Sequence, residues 1–221
     1  NSTPAIATTG LTVRRGKFEV LHDLDIRVPR GQVVGLLGPS GSGKSTLMLS
    51  IVGAQRIATG TVTVLGSPAG TPALRRRVGY VTQDDNLLPW RTTIDNVLFP
   101  LEVQGRLDDK TRAHAETLIK AVGLSGYERY YPHELSGGMR KRTSLIRTLV
   151  YDPPVILMDE PFAAVDAQTR MQLQEDLLRL WEMGRKTIIF VTHDIAEAIA
   201  LGDRTLVLTK QPTRIGAEHK I

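Results

Sequence analysis

An apolar run that leads directly into a glycine-rich loop constrains the fold of this chain more than any other feature. The run reads VVGLL over residues 33–37, and the loop reads GPSGSGKST over residues 38–46. A continuous apolar stretch of this length predicts a strand buried on both faces, as in a parallel sheet that is covered by helices. Apolar residues after the loop predict a helix, and these are Leu47, Met48, Ile51 and Val52. The sequence therefore predicts an α/β fold with a strand, a tight loop and a helix in succession.

The glycine-rich loop is also a candidate phosphate-binding site. It matches G-x-x-x-x-G-K-[ST], in which backbone N–H groups and a helix N-terminus converge on phosphate oxygens. We expect Lys44 to reach the β and γ phosphates of a nucleoside triphosphate and Ser45 to bind Mg²⁺. The alternative is a glycine-rich turn that holds no ligand. The candidate phosphate-binding residues are Gly38, Pro39, Ser40, Gly41, Ser42, Gly43, Lys44, Ser45 and Thr46.

A second apolar run, VILMDE over residues 155–160, ends in two adjacent carboxylates. Such a strand brings its last residues to the carboxyl edge of the sheet, where the phosphate-binding loop also lies. Asp159 is therefore a candidate to hold the hydration shell of Mg²⁺. Glu160 is a candidate general base, or a group that orients the water attacking the γ phosphorus. The alternative is a strand that ends in two solvated acids.

The segment LSGGM, residues 135–139, lies between these two motifs. Ser136 offers a hydroxyl, and Gly137 and Gly138 offer amides without side chains at a predicted helix start, which together suit an anion. The alternative is a plain helix N-cap at Ser136. In combination with the flanking motifs, LSGG resembles the signature of the ATP-binding cassette (ABC) ATPases. The resemblance covers nearly the whole chain and implies that ATP and Mg²⁺ are bound.

The remaining patterns agree with the P-loop NTPase fold that this resemblance implies. Alternating or β-branched segments predict a small N-terminal antiparallel β lobe, at residues 8–13, 24–28 and 61–65. Further apolar segments predict a RecA-like, mostly parallel sheet, at residues 33–37, 78–82, 155–158, 187–191 and 205–208. One buried helix face is predicted at Ala115, Leu118, Ile119 and Val122. We predict one domain over residues 1–221, with a core at about 1–86 and 151–221 and an inserted α-helical lobe at about 87–150.

The resemblance also assigns roles to single residues. Gln83 resembles the glutamine that contacts Mg²⁺ or water and relays the nucleotide state to a membrane partner. His193 follows a predicted strand and resembles the switch histidine that contacts the γ phosphate. The family holds two ATP molecules in a head-to-tail dimer. Asp166 resembles the acid that crosses the interface of that dimer. In that dimer, the LSGG residues would serve the ATP held by a second copy of the chain.

The residues that would hold the base depart from the family pattern. Relatives stack adenine on an aromatic ring in a loop before the phosphate-binding loop, and Arg15 occupies that position here. Either Phe18 replaces the ring or the guanidinium plane of Arg15 stacks on the base. The sequence therefore leaves the preference for ATP over GTP open.

Composition excludes several other classes of protein. No run approaches about 18 consecutive apolar residues, so no membrane-spanning helix is predicted. The chain has no cysteine and no pattern of a secretion signal, so we expect a cytoplasmic protein. The family resemblance implies that this protein is peripheral on the inner face of the cell membrane. The net charge is +5, but the basic runs at residues 75–77 and 140–142 lack interleaved aromatic residues. No nucleic acid is expected as a partner, and these charges are interpreted as solvated surface charge and phosphate-binding residues.

Two origins remain open for the chain. From residue 87 onward, segments such as PHELSGGMRKR and MDEPFAAVDAQTR resemble the ATPases of nitrate, sulfonate and taurine importers. The earlier segment VTVLGSPAGTPALRRRVGYVTQ resembles exporter ATPases of the drug-efflux type. The chain is either one natural lineage with a divergent first half or a hybrid joined near Gln83 to Asp85.

The function implied by the resemblance is an ATP-hydrolysing subunit that powers an ABC transporter, with a transmembrane permease and a second copy of the chain as partners. The alternatives are a soluble ABC ATPase without a transport role, or an engineered cassette that only binds ATP. ABC ATPases of DNA repair carry a long coiled coil or a second cassette, for which this chain has no segment. A GTPase would need an Asn/Thr-Lys-x-Asp motif, and Pro212 stands at the acid's position after Lys210.

Overall fold

Strands and helices alternate along most of the chain, as an α/β fold requires. The computed structural model describes residues 3–163, 165–182 and 184–221, with their side chains except those of residues 180 and 182. In chain order, the strands are β1 (Ile6–Arg15), β2 (Phe18–Val28), β3 (Val33–Leu37), β4 (Thr59–Val64), β5 (Ser67–Pro68), β6 (Val78–Val81), β7 (Val155–Asp159), β8 (Thr187–Thr192), β9 (Arg204–Leu208) and β10 (Ile215–Lys220). The α-helices are α1 (Lys44–Val52), α2 (Thr93–Val103), α3 (Asp109–Ala121), α4 (Gly137–Leu149), α5 (Ala167–Glu182) and α6 (Ile195–Leu201).

The described residues divide into two compact units. The core unit takes the chain up to Val78, together with Pro154–Glu160 and Arg185–Ile221, and the helical unit takes Gly79–Pro153 and Pro161–Gly184. The helical unit begins before the predicted residue 87 and also includes α5, which packs on α4 within that unit. The prediction of a single domain over residues 1–221 stays a prediction.

An antiparallel sheet in the core unit confirms the predicted β lobe. Its strand order is β2-β1-β4-β5. Ile6 of β1 lies opposite Val28 of β2 on one side and Val64 of β4 on the other, and all three side chains are buried. From residue 24 to residue 28 of β2, buried apolar residues alternate with exposed charged residues, as a sheet with one solvated face requires.

A second sheet in the core unit places the candidate site. Its order within that unit is β10-β9-β3-β8-β7, with β3 parallel to β8 and β9, and β7 parallel to β8. The first four residues of β3 are buried, as the apolar run predicts. Leu37 at the end of β3 lies opposite Thr192, and Asp159 at the end of β7 lies opposite Val191. The carboxyl ends of β3, β7 and β8 therefore meet at one edge, and the predicted α/β P-loop fold is confirmed.

The helical unit has its own apolar core. Helix α2 packs on α3 and α4 through side chains that are almost completely buried, and these are Val97, Leu98, Leu101, Ala115, Leu118, Ile119 and Ile146. The helical face predicted in α3 is among them, except that Val122 lies just beyond the helix as its C-cap. Helices α2, α3 and α4 each begin with a side-chain cap, which is Thr92 for α2, Asp108 for α3 and Ser136 for α4.

Within the described ranges, every helix is too short or too polar to cross a membrane.

Candidate nucleotide-binding site

A cleft of about 480 Å³ opens in the core unit, where β3 leads into α1. It is lined by residues of the phosphate-binding loop, by Glu160 and by residues from more distant segments. The lining residues are Arg15, Phe18, Val20, Ser40, Gly41, Ser42, Gly43, Lys44, Ser45, Thr46, Glu160 and Gln211. The cleft thus brings together the predicted phosphate-binding loop, the candidate general base and the candidate base-binding residues.

The loop leaves the first N–H groups of α1 available for a ligand. The helix begins after Gly43, which has φ 82° and has no side chain that could cap the helix. The open end of a helix with free N–H groups favours an anion, and the positive end of the helix dipole adds to that attraction. Gly38 lies on the other side of the loop, where a β-carbon would come within 2.8 Å of the Ser42 hydroxyl. The glycines therefore keep the loop tight and its amides accessible.

Lys44 is folded back over this loop. Its Nζ donates hydrogen bonds to the carbonyl oxygens of Gly38 at 2.8 Å and Pro39 at 2.9 Å, and the residue is buried. Burial lowers the pKa of the Lys44 amine, and the carboxylates of Glu160 and Asp159 partly offset this effect. Phosphate oxygens would be stronger acceptors than these neutral carbonyls, because both partners of the hydrogen bond would then be charged. Lys44 is thus held where it can exchange loop carbonyls for phosphate.

Glu160 and His193 lie together at the carboxyl edge of the sheet. The Glu160 Oε2 is 3.7 Å from the His193 Nδ1, and the backbone N–H of Glu160 donates to the carbonyl of Val191 at 3.2 Å. Glu160 has a backbone φ of 47°, in the left-handed region that residues other than glycine rarely adopt. Such strain persists only where surrounding structure imposes it, and it is common at functional sites. The turn after β7 therefore fixes the backbone of Glu160, and the residue lines the cleft.

The oxygen donors in the core unit fit Mg²⁺. Ser45 presents an exposed hydroxyl at the start of α1, and Asp159 ends β7 with a half-buried carboxylate. Mg²⁺ prefers hard oxygen ligands and is usually held by one or two protein groups together with phosphates and water. This small donor set therefore suits a magnesium ion that arrives with a nucleotide.

The candidate base-binding residues also line the cleft. Phe18 is 78% exposed although it is aromatic, and Arg15 beside it is also exposed. Both line the cleft, so either side chain could stack on a base.

Sequence reasoning missed two residues of this cleft, Val20 and Gln211. The Gln211 Nε2 donates to the carbonyl of Gly41 at 2.7 Å, which ties the connection between β9 and β10 to the phosphate-binding loop. Neither residue belongs to a local motif, because Val20 reaches the cleft from β2 and Gln211 from the connection between β9 and β10.

The LSGGM segment forms the start of α4 in the helical unit. Ser136 caps the helix, with its Oγ accepting a hydrogen bond from the N–H of Met139 at 3.3 Å. Ser136 and Gly137 remain exposed, so the capped end of the helix is open to a ligand. At Gly138, a β-carbon would lie 2.5 Å from the Thr169 side chain, so this glycine is required by packing. The helix-cap role that sequence analysis considered for Ser136 is present, together with an accessible helix N-terminus.

Gln83 lies in a segment that basic residues of α4 contact through hydrogen bonds and an ion pair. Its carbonyl accepts a hydrogen bond from the Lys141 amine, and the carboxylate of Asp85 pairs with Arg140 at 3.0 Å. Arg147 donates to the carbonyls of Asp85 and Asn86 at 2.8 and 2.7 Å. Burial lowers the pKa of both Lys141 and Arg147, although nearby acids oppose the shift.

The basic run at residues 140–142 differs from the solvated surface charge that was predicted. Arg142, the third member of the run, pairs with the buried carboxylate of Asp176 at 3.1 Å. All three residues of the run therefore make contacts within the helical unit.

Asp166 caps α5 in the helical unit. Its carboxylate accepts hydrogen bonds from the N–H and the hydroxyl of Thr169 at 2.9 and 2.7 Å. These hydrogen bonds, first that of the Thr169 hydroxyl, lower the pKa of the Asp166 carboxyl. Asp166 is exposed, so the cap leaves it accessible from outside the chain.

Comparison with known proteins decides the family. The family profile described as ABC transporter matches residues 21–163, which is more than half of the chain. The chain belongs to the ABC transporter family. An ABC transporter ATP-binding protein of Methanocaldococcus jannaschii is 44% identical over 93% of this chain and 76% of its own length. The family resemblance stated from the motifs is confirmed, and with it the assignment as an ATP-binding cassette of the ABC ATPases.

Importer subunits are among the similar ABC proteins. The taurine import ATP-binding protein of Burkholderia pseudomallei is 41% identical over 94% of this chain and 79% of its own length. The sulfate/thiosulfate import ATP-binding protein of Mycobacterium tuberculosis is 44% identical over 94% of this chain but only 60% of its own length. The similarity to importers therefore extends over both sides of residues 83–85, where a hybrid junction was considered.

Solved ABC cassettes share the fold. A dimeric bacterial ABC transporter cassette has a TM-score of 0.85 and 30% identity, covering 97% of this chain and 98% of that one. The same cassette is known as a dimer in a post-hydrolysis state bound to ADP and Pi. A Clostridium perfringens protein that is part of an ABC transporter complex has a TM-score of 0.89 and 25% identity, covering 99% of this chain and 89% of that one.

Proposed function

We propose that this ABC cassette is the ATP-hydrolysing subunit of an importer, and that it works as a pair of copies beside a transmembrane permease at the inner face of the cell membrane. The observation that carries the proposal is the cleft in the core unit, which combines an uncapped helix start, a buried lysine and a carboxylate held at its edge. This combination offers phosphate binding and a group for water activation in one place.

ATP binding would use the phosphate-binding loop and the base-binding residues of the cleft. The amides at the start of α1 would receive the β and γ phosphates, and Lys44 would turn from the carbonyls of Gly38 and Pro39 to the phosphate oxygens. Phe18 or Arg15 would stack on the base.

Mg²⁺, when bound, would neutralise charge that develops on the phosphate oxygens. Ser45 and Asp159 would hold it in the core unit, and Gln83 is a further ligand by family resemblance. The proposed role of these residues is therefore to orient the triphosphate for cleavage.

Hydrolysis would depend on Glu160. Its carboxylate would orient a water molecule and accept a proton as that water attacks the γ phosphorus. His193, whose Nδ1 lies 3.7 Å from this carboxylate, would contact the γ phosphate and help to keep Glu160 in position. The strained backbone of Glu160 supports this role, because such strain is common at functional sites.

A second copy of the chain would complete each site. The exposed start of α4, at Ser136 and Gly137, is a second helix N-terminus suited to an anion, and Asp166 is exposed for contact across an interface. The dimeric form of similar cassettes supports this arrangement.

The permease would dock on the turn that carries Trp90. This side chain is 71% exposed, which supports a docking role over burial in the protein core. The buried Asn96 fixes the turn, because its side chain bonds to Leu88, Arg91 and Thr92 at 2.8–3.1 Å. An exposed tryptophan on a rigid turn suits an interface anchor.

Phosphate release in the presence and absence of Mg²⁺ tests the proposal. The purified chain should release phosphate from ATP with Mg²⁺, and excess EDTA should stop release because the charge on the leaving phosphate is no longer neutralised. A chain that binds ATP but releases no phosphate, alone or with a permease partner, would contradict the proposal and favour a cassette that only binds ATP.

A further inference from the structure

We propose that Thr213 is a positioning residue for ATP binding, because it holds one peptide group of the phosphate-binding loop in the orientation that a phosphate needs. The inference rests on the proposed ATP site. It concerns a residue that lies outside every sequence motif of this chain, in the connection between β9 and β10.

Thr213 is completely buried and fixed on both sides of its backbone. Its N–H donates to the carbonyl of Val20 at 3.0 Å, and its carbonyl accepts from the N–H of His22 at 3.0 Å. The Thr213 hydroxyl donates to the carbonyl of Ser42 in the phosphate-binding loop. Strand β2 therefore holds Thr213, and Thr213 holds the loop.

This hydrogen bond fixes the plane of the peptide between Ser42 and Gly43. In a planar trans peptide, the C=O of one residue and the N–H of the next point in opposite directions. Because the Ser42 carbonyl is turned toward the buried Thr213, the Gly43 N–H is turned away from it. Gly43 lines the cleft and Thr213 does not, so this N–H faces the side where the phosphates would bind.

The loop needs an external hold at this position. Gly43 has φ 82° and no β-carbon, so a flip of the preceding peptide would meet little resistance from Gly43 itself. A flipped peptide would point the Ser42 carbonyl at the phosphates, and like partial charges would repel. A stiffer residue cannot replace Gly43, because a β-carbon would lie 2.9 Å from Leu21 and 3.1 Å from Val20.

Gln211 extends the same hold to the neighbouring peptide. Its Nε2 donates to the Gly41 carbonyl at 2.7 Å, and Gly41 also has a positive φ of 74°. Gln211 is exposed, so water can replace its hydrogen bond more readily than that of Thr213. The connection between β9 and β10 thus donates hydrogen bonds to two consecutive carbonyls of the loop, and the bond from Thr213 is the stronger of the two.

Titration of ATP and ADP into the Thr213→Val variant tests the inference. Valine keeps the shape of the side chain and removes the donor, so both nucleotides should bind about five- to tenfold more weakly. The maximal rate of phosphate release at saturating ATP should stay within about twofold, because bound phosphate restores the peptide orientation. Thr213→Ser retains the hydroxyl and should bind both nucleotides with nearly the affinity of the wild type.

Thr205→Val is the matched control. Thr205 is also buried in the core unit, but its hydroxyl has no hydrogen-bond partner among the described residues. The same chemical change there should leave ATP affinity unchanged. Affinity equal to wild type in Thr213→Val, or an equal loss in Thr205→Val, would overturn the inference.

Two further outcomes are distinguishable. If the wild type binds no ATP, the proposed function fails. If the wild type binds ATP and Thr213→Val binds it equally tightly, only the role of Thr213 is refuted. If the valine variant does not fold, Thr213→Ala replaces it with the same expected loss, and wild-type affinity in that variant overturns the inference.

Discussion

Lys44 is the residue on which ATP binding should depend most. Replacing it with alanine removes the cation that faces the phosphates, and hydrogen bonds between charged groups are among the strongest single contacts. We expect Lys44→Ala to weaken ATP binding by about 10- to 100-fold. Titration with a fluorescent ATP analogue measures this, with Lys110→Ala on the surface of α3 as a control of equal charge change. Equal affinities in Lys44→Ala and the wild type would defeat the assignment.

Glu160 should be needed for turnover and not for binding. Glutamine keeps the shape of the side chain but cannot accept the proton, so Glu160→Gln should bind ATP within a few fold of the wild type. Phosphate release should fall by about 10²- to 10⁴-fold, the usual contribution of general base catalysis. Glu116→Gln, on the exposed side of α3, is the control and should release phosphate normally. Release at the wild-type rate in Glu160→Gln would place the base elsewhere.

Among single site residues, the sequence predicts those that lie in local motifs and misses those that contact the site from distant segments. Glu160 follows β7 directly, and Lys44 lies in the glycine-rich loop that follows β3, so their position at the sheet edge could be inferred from strand and loop together. Gln211 and Thr213 lie more than 160 residues beyond the loop residues to which they donate hydrogen bonds, and no local sequence pattern predicts such contacts. The positive φ of Glu160 is likewise invisible in the sequence, because the packing around it imposes that conformation.

Secondary structure was predictable where burial dictates the pattern. Strands β3, β7 and β8 are buried along nearly all of their length, and each appears in the sequence as an apolar run. Strand β10 was missed because its residues are mostly exposed and polar, with only its pairing to β9 to define it. An edge strand of this kind carries little hydrophobic signal.

The turn at residues 88–92 should carry the permease contact. Trp90→Ala removes an exposed side chain, so we expect ATP hydrolysis by the isolated chain to stay within about twofold and the melting temperature to change little. Association with the permease in detergent should weaken by at least about tenfold, as for an interface anchor. Ile199→Ala, which removes an exposed apolar side chain from α6 in the core unit, is the control and should retain association.

A different result would change the interpretation of this turn. If Trp90→Ala lowers the melting temperature and abolishes hydrolysis together, Trp90 supports the fold. If the variant binds the permease as tightly as Ile199→Ala, the docking surface lies elsewhere.

For the whole molecule, the candidate residues are divided between the two units. The phosphate-binding loop, Asp159, Glu160 and His193 belong to the core unit, and Gln83, the LSGGM segment and Asp166 belong to the helical unit. The sequence predicted the class of both units, because strand-like and helix-like periodicities separate along the chain. It did not predict that α5 belongs to the helical unit, since an amphipathic helix does not reveal which neighbour covers its apolar face.

The central claim is that two copies of the chain bind ATP between them. Light scattering of Glu160→Gln with and without ATP tests it most directly, because an ATP-dependent dimer requires ATP binding, slow hydrolysis and a contact by the LSGGM segment. The variant should be monomeric without nucleotide and dimeric with ATP, since a ligand shared across an interface stabilises association. Adding Ser136→Arg should abolish the dimer, whereas adding Ser125→Arg, an equal charge change at another exposed serine of the helical unit, should leave it intact. A chain that stays monomeric with ATP, or a dimer that forms without nucleotide and survives Ser136→Arg, would contradict the account.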